Sequence, residues 1–258
     1  MRYALIVEYC GTNYFGWQRQ THFISVQAIL EKSLSLVAAH QISVICAGRT
    51  DRGVHATAQV VHFDSDATRR CAQWVSGVNC NLPADIKVKK CFVVDDKFHA
   101  RYSATSRTYQ YYIYNSRVAS AIYDPFSLWV KYDLSLEAMQ NAAKILQGKH
   151  DFSSFRASNC QAKSSIKNVT ELSVKKHKEF YVITVSADSF LYHMVRNIVG
   201  ALLEVASGSK DINWIEQVLA AKDRKGAGKK VAAKGLFFRG ADYADNCEIK
   251  HNSVEYVI

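Results

Sequence analysis

The stretch ISVICAGRTDRGVHATAQVVHFDS, residues 42–65, joins two apolar runs through a turn that is rich in glycine and arginine. The flanking runs ISVICA and AQVVHFDS are rich in the β-branched and aromatic residues that are typical of strands. Glycine and aspartate favour tight turns, so the segment between the runs predicts a turn. That turn holds one carboxylate, Asp51, with Arg49 two residues before it and Arg52 directly after it. The local pattern leaves open whether Asp51 only helps to form the turn or also takes part in chemistry.

The composition is that of a soluble globular protein with a basic surface. Of 258 residues, 48% are hydrophobic and 22% are charged, and this length suits one large domain or two small ones. Lysine and arginine number 33 against 23 aspartates and glutamates, which gives a formal net charge of +10. A basic surface favours polyanions, and nucleic acid is the most common soluble polyanion.

Neither an export signal nor a metal site is expected. Glu8 interrupts the apolar start of the chain, and no run reaches the roughly 18 apolar residues of a membrane span. The seven cysteines include no C-x-x-C pair, and His55, His62, His99 and His193 have no metal-binding spacing. We therefore expect a cytoplasmic protein in a reducing compartment, with no metal and no membrane partner.

Apolar periodicity predicts alternating strands and helices. Strands are predicted at 2–9, 42–47, 58–65, 85–95, 106–115, 168–176, 180–187 and 236–243, and helices at 25–39, 69–80, 135–146, 193–206 and 211–221. The order lacks a strict βαβ rhythm, which favours an α+β protein of two domains with largely antiparallel sheets. The small-residue stretch Ser103–Ser106 marks the boundary. We expect an N-terminal domain at 1–104 and a C-terminal domain at 105–258.

Two residues of the second half, Arg196 and Tyr109, allow both a structural and a functional interpretation. Arg196 lies off the apolar stripe of its predicted helix, in the first turn, where a cation opposes the helix dipole. It is either solvated or held near an anion, such as a phosphate or a carboxylate. Tyr109 lies on the predicted strand RTYQYYIYN, where tyrosines usually pack but can also stack on RNA bases.

Two loops combine positive charge with residues that suit RNA. The loop NYFGWQRQ, 13–20, places three aromatic side chains beside Gln18 and Arg19, although its rings can equally fold back into the core. The segment KDRKGAGKKVAAKG, 222–235, holds six cations, including Lys222 and Arg224. It fails the P-loop pattern, which excludes nucleotide hydrolysis and leaves phosphate contact or plain solvation.

Taken together, these stretches resemble the tRNA pseudouridine synthases of the TruA type, which act on the anticodon stem-loop. Eleven motifs occur in the family's order and cover almost the whole chain. They are GWQRQ (16–20), SVQ (25–27), AGRTD with GVHA (47–56), QVVHF (59–63), NLP (81–83), FHARYSAT (98–105), RTYQYYIYN (107–115), DFSSFRA (151–157), HMVRNIVG (193–200), LAAKDR (219–224) and KGLFF (234–238).

The resemblance implies an isomerase that converts uridine to pseudouridine at positions 38, 39 and 40 of tRNA. It implies that Asp51 is the catalytic carboxylate, that Arg49 fills the gap left in the RNA stack, and that Tyr109 stacks on the extruded uracil. It also implies that Arg196 keeps Asp51 ionised and that Leu236 is an apolar contact in the wall of the active site.

The same resemblance implies the fold and the partners. It implies two sandwich-like domains whose largely antiparallel sheets form a continuous sheet around a central basic active-site cleft. It further implies a cytoplasmic homodimer that acts on tRNA without a cofactor. We assign Gln18, Arg19, Lys222 and Arg224 to substrate contacts, since they lie in the two loops that suit RNA.

One departure from the family pattern keeps other functions open. The residue after the catalytic aspartate is usually small in this family, whereas here Arg52 adds charge and bulk beside Asp51. Arg52 is the feature that favours a non-catalytic RNA-binding protein or tRNA chaperone of the same fold. A nucleoside or glycoside hydrolase would need a second, suitably placed acid, which the sequence does not reveal, and it would release free uracil.

Overall fold

The computed structural model describes residues 1–158, 160, 162–244 and 249. Its strands and longer helices, in chain order, are β1 (Arg2–Tyr9), α1 (Val26–Ala38), β2 (Ile45–Cys46), β3 (His55–Asp64), α2 (Cys71–Asn81), β4 (Ile86–Val94), β5 (Ala104–Asn115), β6 (Leu128–Val130), α3 (Leu136–Ile145), β7 (Gly148–Asp151), β8 (Ile166–His177), β9 (Phe180–Ala187), α4 (Met194–Ala206), α5 (Asn213–Ala221) and β10 (Leu236–Tyr243). The chain divides into two compact units. Unit 1 comprises Met1–Arg107 and the described residues from Phe237 on, and unit 2 comprises Thr108–Leu236.

Unit 1 is built on a sheet with the strand order β4-β1-β3-β10. β1 is antiparallel to β3 and β4, β2 pairs antiparallel with β3, and β10 runs parallel to β3. The middle of β1 is buried on both faces, as its five consecutive apolar residues require. Trp74 of α2 contacts the rings of Tyr3 and Phe63 edge-on, with centroids 5.4 and 5.1 Å away. Aromatic pairs of this kind add roughly 0.5–1.5 kcal/mol each to the burial of their area.

Unit 2 is built on a sheet with the order β5-β9-β8-β7, and β6 pairs parallel with β5. β8 and β9 form an antiparallel hairpin whose turn places Lys178 at φ 52°. α4 is buried at every position except Glu204 and the helix is apolar on most sides, as expected for a core helix. Ser135 caps α3, since its hydroxyl accepts from the Ala138 N–H at 3.1 Å.

The predicted mixture of α and β elements with largely antiparallel strands is confirmed. The strand predicted at 42–47 is reduced to β2, and the short strands β6 and β7 were not predicted, because three or four residues show no readable period.

The division of the chain differs from the expected one at its end. β10 belongs with unit 1 from Phe237 on, since Phe237 and Phe238 pair with His55 and Ala56 of β3. The continuous sheet and the central cleft stay predictions.

The described residues contain no candidate for a membrane-spanning helix. None of the helices there combines the length and the hydropathy that crossing a bilayer requires.

Candidate functional site

The turn that carries Asp51 is held within unit 1 by hydrogen bonds on both of its sides. The Trp17 N–H donates to the Thr50 carbonyl at 3.0 Å, and the Val54 N–H donates to the Asp51 carbonyl at 3.1 Å. The Thr50 hydroxyl lies 2.7 Å from the Tyr9 hydroxyl in a buried pair. These bonds act on Asp51 itself or on its neighbour, so they fix the backbone from which the carboxylate projects.

Two glycines let the N-terminal loop approach this turn closely. Gly16 has φ +87°, and a Cβ there would lie 2.7 Å from the Thr50 carbonyl oxygen. A Cβ at Gly11 would lie 1.9 Å from the Val54 carbonyl oxygen. Both distances are shorter than a carbon–oxygen contact allows, so any other residue at these positions has to displace the turn.

The base of the turn is anchored in β3 by a buried amide. Gln59 donates through Nε2 to the Gly48 carbonyl at 2.6 Å and accepts from the Gly48 N–H at 3.4 Å. At the start of β3, the buried His55 accepts from the Gly11 N–H through Nδ1 at 3.1 Å and stacks on Phe237 with centroids 4.6 Å apart. The segment between Gly48 and His55 is therefore fixed at both ends.

The charged side chains of the turn differ in exposure. Asp51 is half-buried, whereas Arg49 and Arg52 are exposed. The Arg52 guanidinium lies over the ring of Phe15, 4.1 Å from its centroid. The bulk of Arg52 is thus directed onto that ring.

The surroundings of this turn bear on two other kinds of chemistry, a thiol nucleophile and a metal cluster. Burial raises the pKa of the nearby Cys46 thiol to about 12, although the positive charges of Arg49 and Arg101 oppose the shift. A thiol of that pKa stays protonated and is a poor nucleophile at neutral pH. Among the residues that the structure describes, no three His, Cys, Asp or Glu side chains gather as metal ligands do.

The aromatic loop before α1 divides between core and surface. Trp17 and Tyr14 are buried, which confirms for these two the interpretation that the rings fold back into the core. Phe15 instead stacks on Phe23, with centroids 4.2 Å apart and planes 20° apart. Phe23 is 48% exposed, so this part of the loop is available to a ligand.

Gln18 and Arg19, which the sequence assigns to substrate contacts, have partners on α1. Gln18 donates through Nε2 to Gln27 Oε1 at 2.8 Å, and Arg19 donates through Nη1 to Glu31 Oε2 at 2.9 Å. Glu31 is buried and also accepts from the Val44 N–H at 3.0 Å. Arg19 therefore neutralises a buried carboxylate, a structural role that the sequence did not predict. A contact of either side chain with substrate stays a prediction.

In unit 2, Tyr109 has a fixed ring orientation. Its side chain is 8% exposed and packs edge-to-face on Phe190, with centroids 5.0 Å apart and planes 84° apart. Two residues on, Tyr111 is fully buried and donates from its hydroxyl to the Ala232 carbonyl at 2.8 Å. Stacking of Tyr109 on a uracil stays a prediction.

Arg196 is buried in the first turn of α4, so its interpretation as a solvated arginine is wrong. Its side chain is only 9% exposed, and Nε donates to the Val231 carbonyl at 2.9 Å. Gly200, one turn further along α4, lets the segment at 229–231 approach this closely, since a Cβ there would lie 2.0 Å from the Lys229 carbonyl oxygen. Burial raises the pKa of Tyr111, and the positive charge of Arg196 opposes that shift.

The basic loop before β10 is attached to the body of unit 2. Arg224 donates through Nη2 to Asn197 Oδ1 at 3.0 Å. Lys222 lies 3.8 Å from the Asp151 carboxylate and keeps 62% of its side chain exposed. Leu236, at the end of the loop, is buried. Of these, Lys222 has the exposure that phosphate contact needs, whereas Arg224 is half-buried and engaged with α4.

Sequence reasoning missed the supports of the Asp51 turn. Tyr9, Thr50 and Gly11 carry no local signal, because each acts through a partner that is distant in the chain. Gln59 carried a weak one, since a polar residue inside the apolar run AQVVHF is buried only where its amide has hydrogen-bond partners.

Comparisons with known proteins point to one family. A model of the tRNA pseudouridine synthase family matches residues 5–103 and 142–244. The chain is 47% identical over 245 residues to tRNA pseudouridine synthase A of Vibrio campbellii, covering 95% of this chain and 93% of that protein. It is 48% identical to the protein of the same name from Pectobacterium atrosepticum, covering 94% and 86%. It is 49% identical to that from Aeromonas hydrophila, covering 94% and 90%.

A solved structure of a Cbf5-Nop10-Gar1 complex aligns with 92% of this chain and 48% of its own chain, at 9% identity and a TM-score of 0.38. That likeness is too low to support an inference about the fold or the site. The family model matches well over half of the chain, and the curated relatives extend over nearly the whole sequence. This chain therefore belongs to the tRNA pseudouridine synthase family.

Proposed function

We propose that the protein is a cytoplasmic tRNA pseudouridine synthase that isomerises uridine to pseudouridine at positions 38, 39 and 40 of the anticodon stem-loop. Asp51 is the catalytic carboxylate in this proposal. Tyr109, Arg196, Arg49 and Leu236 keep the roles that the family resemblance implies. The enzyme acts as a homodimer on tRNA.

The observation that carries the proposal is the backbone clamp on the Asp51 turn. Hydrogen bonds from Trp17 and Val54 hold the turn, and Gly16 and Gly11 pack against it at distances that exclude a side chain. An ordinary surface turn does not need such support. A carboxylate that must lie against a reacting atom needs this support, because misplacement by about 1 Å can cost about 10²-fold in rate.

The reaction suits a site with one fixed carboxylate. The bond between N1 of uracil and C1′ of ribose breaks, the base rotates, and C5 bonds to C1′. The C5 proton leaves to solvent and N1 gains a proton, so the atoms balance without a cofactor or an energy source. A carboxylate can act as a nucleophile or as a base toward the sugar, and both routes require its ionised form.

The target uridine lies in a stem and has to be extruded before the chemistry. Flipping a base out of its stack costs a few kcal/mol. Arg49 is exposed on the same turn as Asp51, two residues away. A guanidinium is planar and stacks on bases, so Arg49 filling the gap would lower this cost.

The test is tritium release from tRNA labelled at uridine C5, with no metal or cofactor added. Wild-type protein is expected to release tritium, and Asp51→Asn to lower the rate by more than about 10³-fold. Asp66→Asn, which removes another carboxylate of unit 1 from an exposed position, is the matched control and is expected to keep the wild-type rate.

Transcripts in which the uridines at positions 38, 39 and 40 are replaced by cytidine test the site of action. They are expected to release no tritium. Tight tRNA binding without any release by the wild type would refute catalysis and leave an RNA-binding protein, whereas free uracil as the product would identify a hydrolase.

A further inference from the structure

Three flat groups are stacked on the surface of unit 1, directly beside the turn that carries Asp51. Phe23 lies on Phe15 with ring centroids 4.2 Å apart and planes 20° apart. The guanidinium of Arg52 lies over the ring of Phe15, 4.1 Å from its centroid. We call this set, Phe23, Phe15 and Arg52, the arginine stack.

The arginine stack is held in place by the same loop that supports the Asp51 turn. The Phe15 N–H donates to the Ile24 carbonyl at 2.9 Å, and Gln20 Nε2 donates to the Phe15 carbonyl at 2.9 Å. The next residue, Gly16, packs against the backbone of Thr50. The position of the Phe15 ring relative to Arg52 is therefore set before any ligand arrives.

The exposure and the charge of the arginine stack indicate an anionic ligand. Phe23 is 48% exposed and Arg52 is exposed, so both side chains are accessible to a ligand. A guanidinium placed over a ring can still direct its N–H donors to a phosphate or a carboxylate. Positive charge predominates in the protein, with a formal net charge of +10, which favours a polyanion.

We propose that the arginine stack binds a backbone phosphodiester of the tRNA next to the extruded nucleotide. Arg52 donates to the phosphate, Phe15 holds the guanidinium over its ring, and Phe23 stacks on Phe15. This inference rests on the proposed function. It gives Arg52, a bulky residue where the family pattern has a small one, a role in substrate binding.

The experiment measures the affinity for tRNA over a range of salt concentrations, together with the single-turnover rate at saturating tRNA. Arg52→Gln is expected to raise Kd about 3- to 10-fold near 0.15 M salt and to reduce the steepness of log Kd against log salt by about 0.7–0.9, the loss of one phosphate contact. The single-turnover rate at saturating tRNA should stay within about twofold of wild type, because the phosphate contact stabilises the ground state and the transition state equally and takes no part in the bond changes.

Lys90→Gln is the matched control. It also removes one exposed positive charge from unit 1, but on β4, the outermost strand of the sheet order given above. Its Kd and salt dependence are expected to equal those of wild type. If Arg52→Gln and Lys90→Gln change binding equally, the effect is one of net charge and the proposal is refuted.

A double-mutant cycle tests whether Phe15 acts through Arg52. Phe15→Leu is expected to weaken tRNA binding in the wild-type background and to have no further effect in the Arg52→Gln background. Equal effects in both backgrounds would contradict the stacked arrangement. Tritium release by wild type, with none by Asp51→Asn, separates these outcomes from a failure of the proposed function itself.

Discussion

Gly16 offers a direct test of the argument that the backbone positions Asp51. Gly16→Ala introduces two separable penalties. The first is its φ of +87°, a left-handed conformation that costs an L-residue about 1–2 kcal/mol. The second is steric, because the new Cβ would lie 2.7 Å from the Thr50 carbonyl oxygen and 3.1 Å from the Asp51 carbonyl carbon. These are backbone atoms of the Asp51 turn, so relief of the contact has to move the turn itself.

The expected result is a loss of both stability and rate. The two penalties together amount to about 2–4 kcal/mol, which for a chain of this size lowers Tm by about 5–15 °C. Displacement of the carboxylate by several tenths of an ångström to 1 Å lowers the single-turnover rate of tritium release by about 10- to 100-fold. Both quantities are measured on purified protein, with the rate taken well below either midpoint.

Gly208→Ala separates the two penalties. Gly208 has φ +74°, but a Cβ there would meet no atom within 4 Å. We expect this variant to lose about 1 kcal/mol of stability, or about 2–4 °C in Tm, and to keep the wild-type rate. A Gly16→Ala enzyme with full activity, or equal losses of activity in the two variants, would refute the claim that the turn is positioned by this contact.

Two further predictions concern stability. Burial lowers the pKa of His62 to about 4, and its Nδ1 accepts from the Ala100 N–H at 3.1 Å. Because the folded pKa lies below the unfolded value near 6.5, the stability from neutral His62 is complete above that value and is lost as pH falls toward 4. Urea unfolding should therefore show the wild type losing about 1–3 kcal/mol more than His62→Gln between pH 7 and 4.5, and equal losses would contradict this. Asn197→Leu should lower the free energy of unfolding by about 2–4 kcal/mol, because it removes the hydrogen-bond partner of the Phe155 carbonyl and of Arg224. Lys89→Met, which breaks an exposed ion pair with Glu8, is the control and should cost under about 1 kcal/mol in the same assay.

The elements of this fold that carry a local signal could be predicted from the sequence. Ser25 and Ser135 begin helices as N-caps, and both hydroxyls accept from the N–H three residues on. Strands of three or four residues, such as β6 and β7, have no period to read. The pairing of β10 with β3 joins residues about 180 positions apart, a contact that no local pattern encodes.

The residues of the candidate site also differ in whether a local pattern reveals their role. The turn around Asp51 could be recognised from its own residues, because glycine, arginine and aspartate follow one another there. The role of Arg19 could not, because its partner Glu31 lies on a helix that begins seven residues later and the burial of Glu31 depends on the packing of that helix. A charged residue on a loop predicts an interaction, but only the packed structure shows whether its partner lies within the protein or is a ligand.

The way in which the Asp51 turn is held also explains how the chain accommodates Arg52. The supports described for the turn reach the backbone of residues 48 to 54, the hydroxyl of Thr50 or the side chain of His55, and none depends on the side chain at position 52. That side chain can therefore be changed without moving the carboxylate. In this chain the neighbouring loop supplies the ring of Phe15, on which a guanidinium can lie. Position 52 is thus suited to adjust substrate binding while the position of the acid stays fixed, and for this reason we expect Arg52 variants to change Kd and Gly16 variants to change the rate.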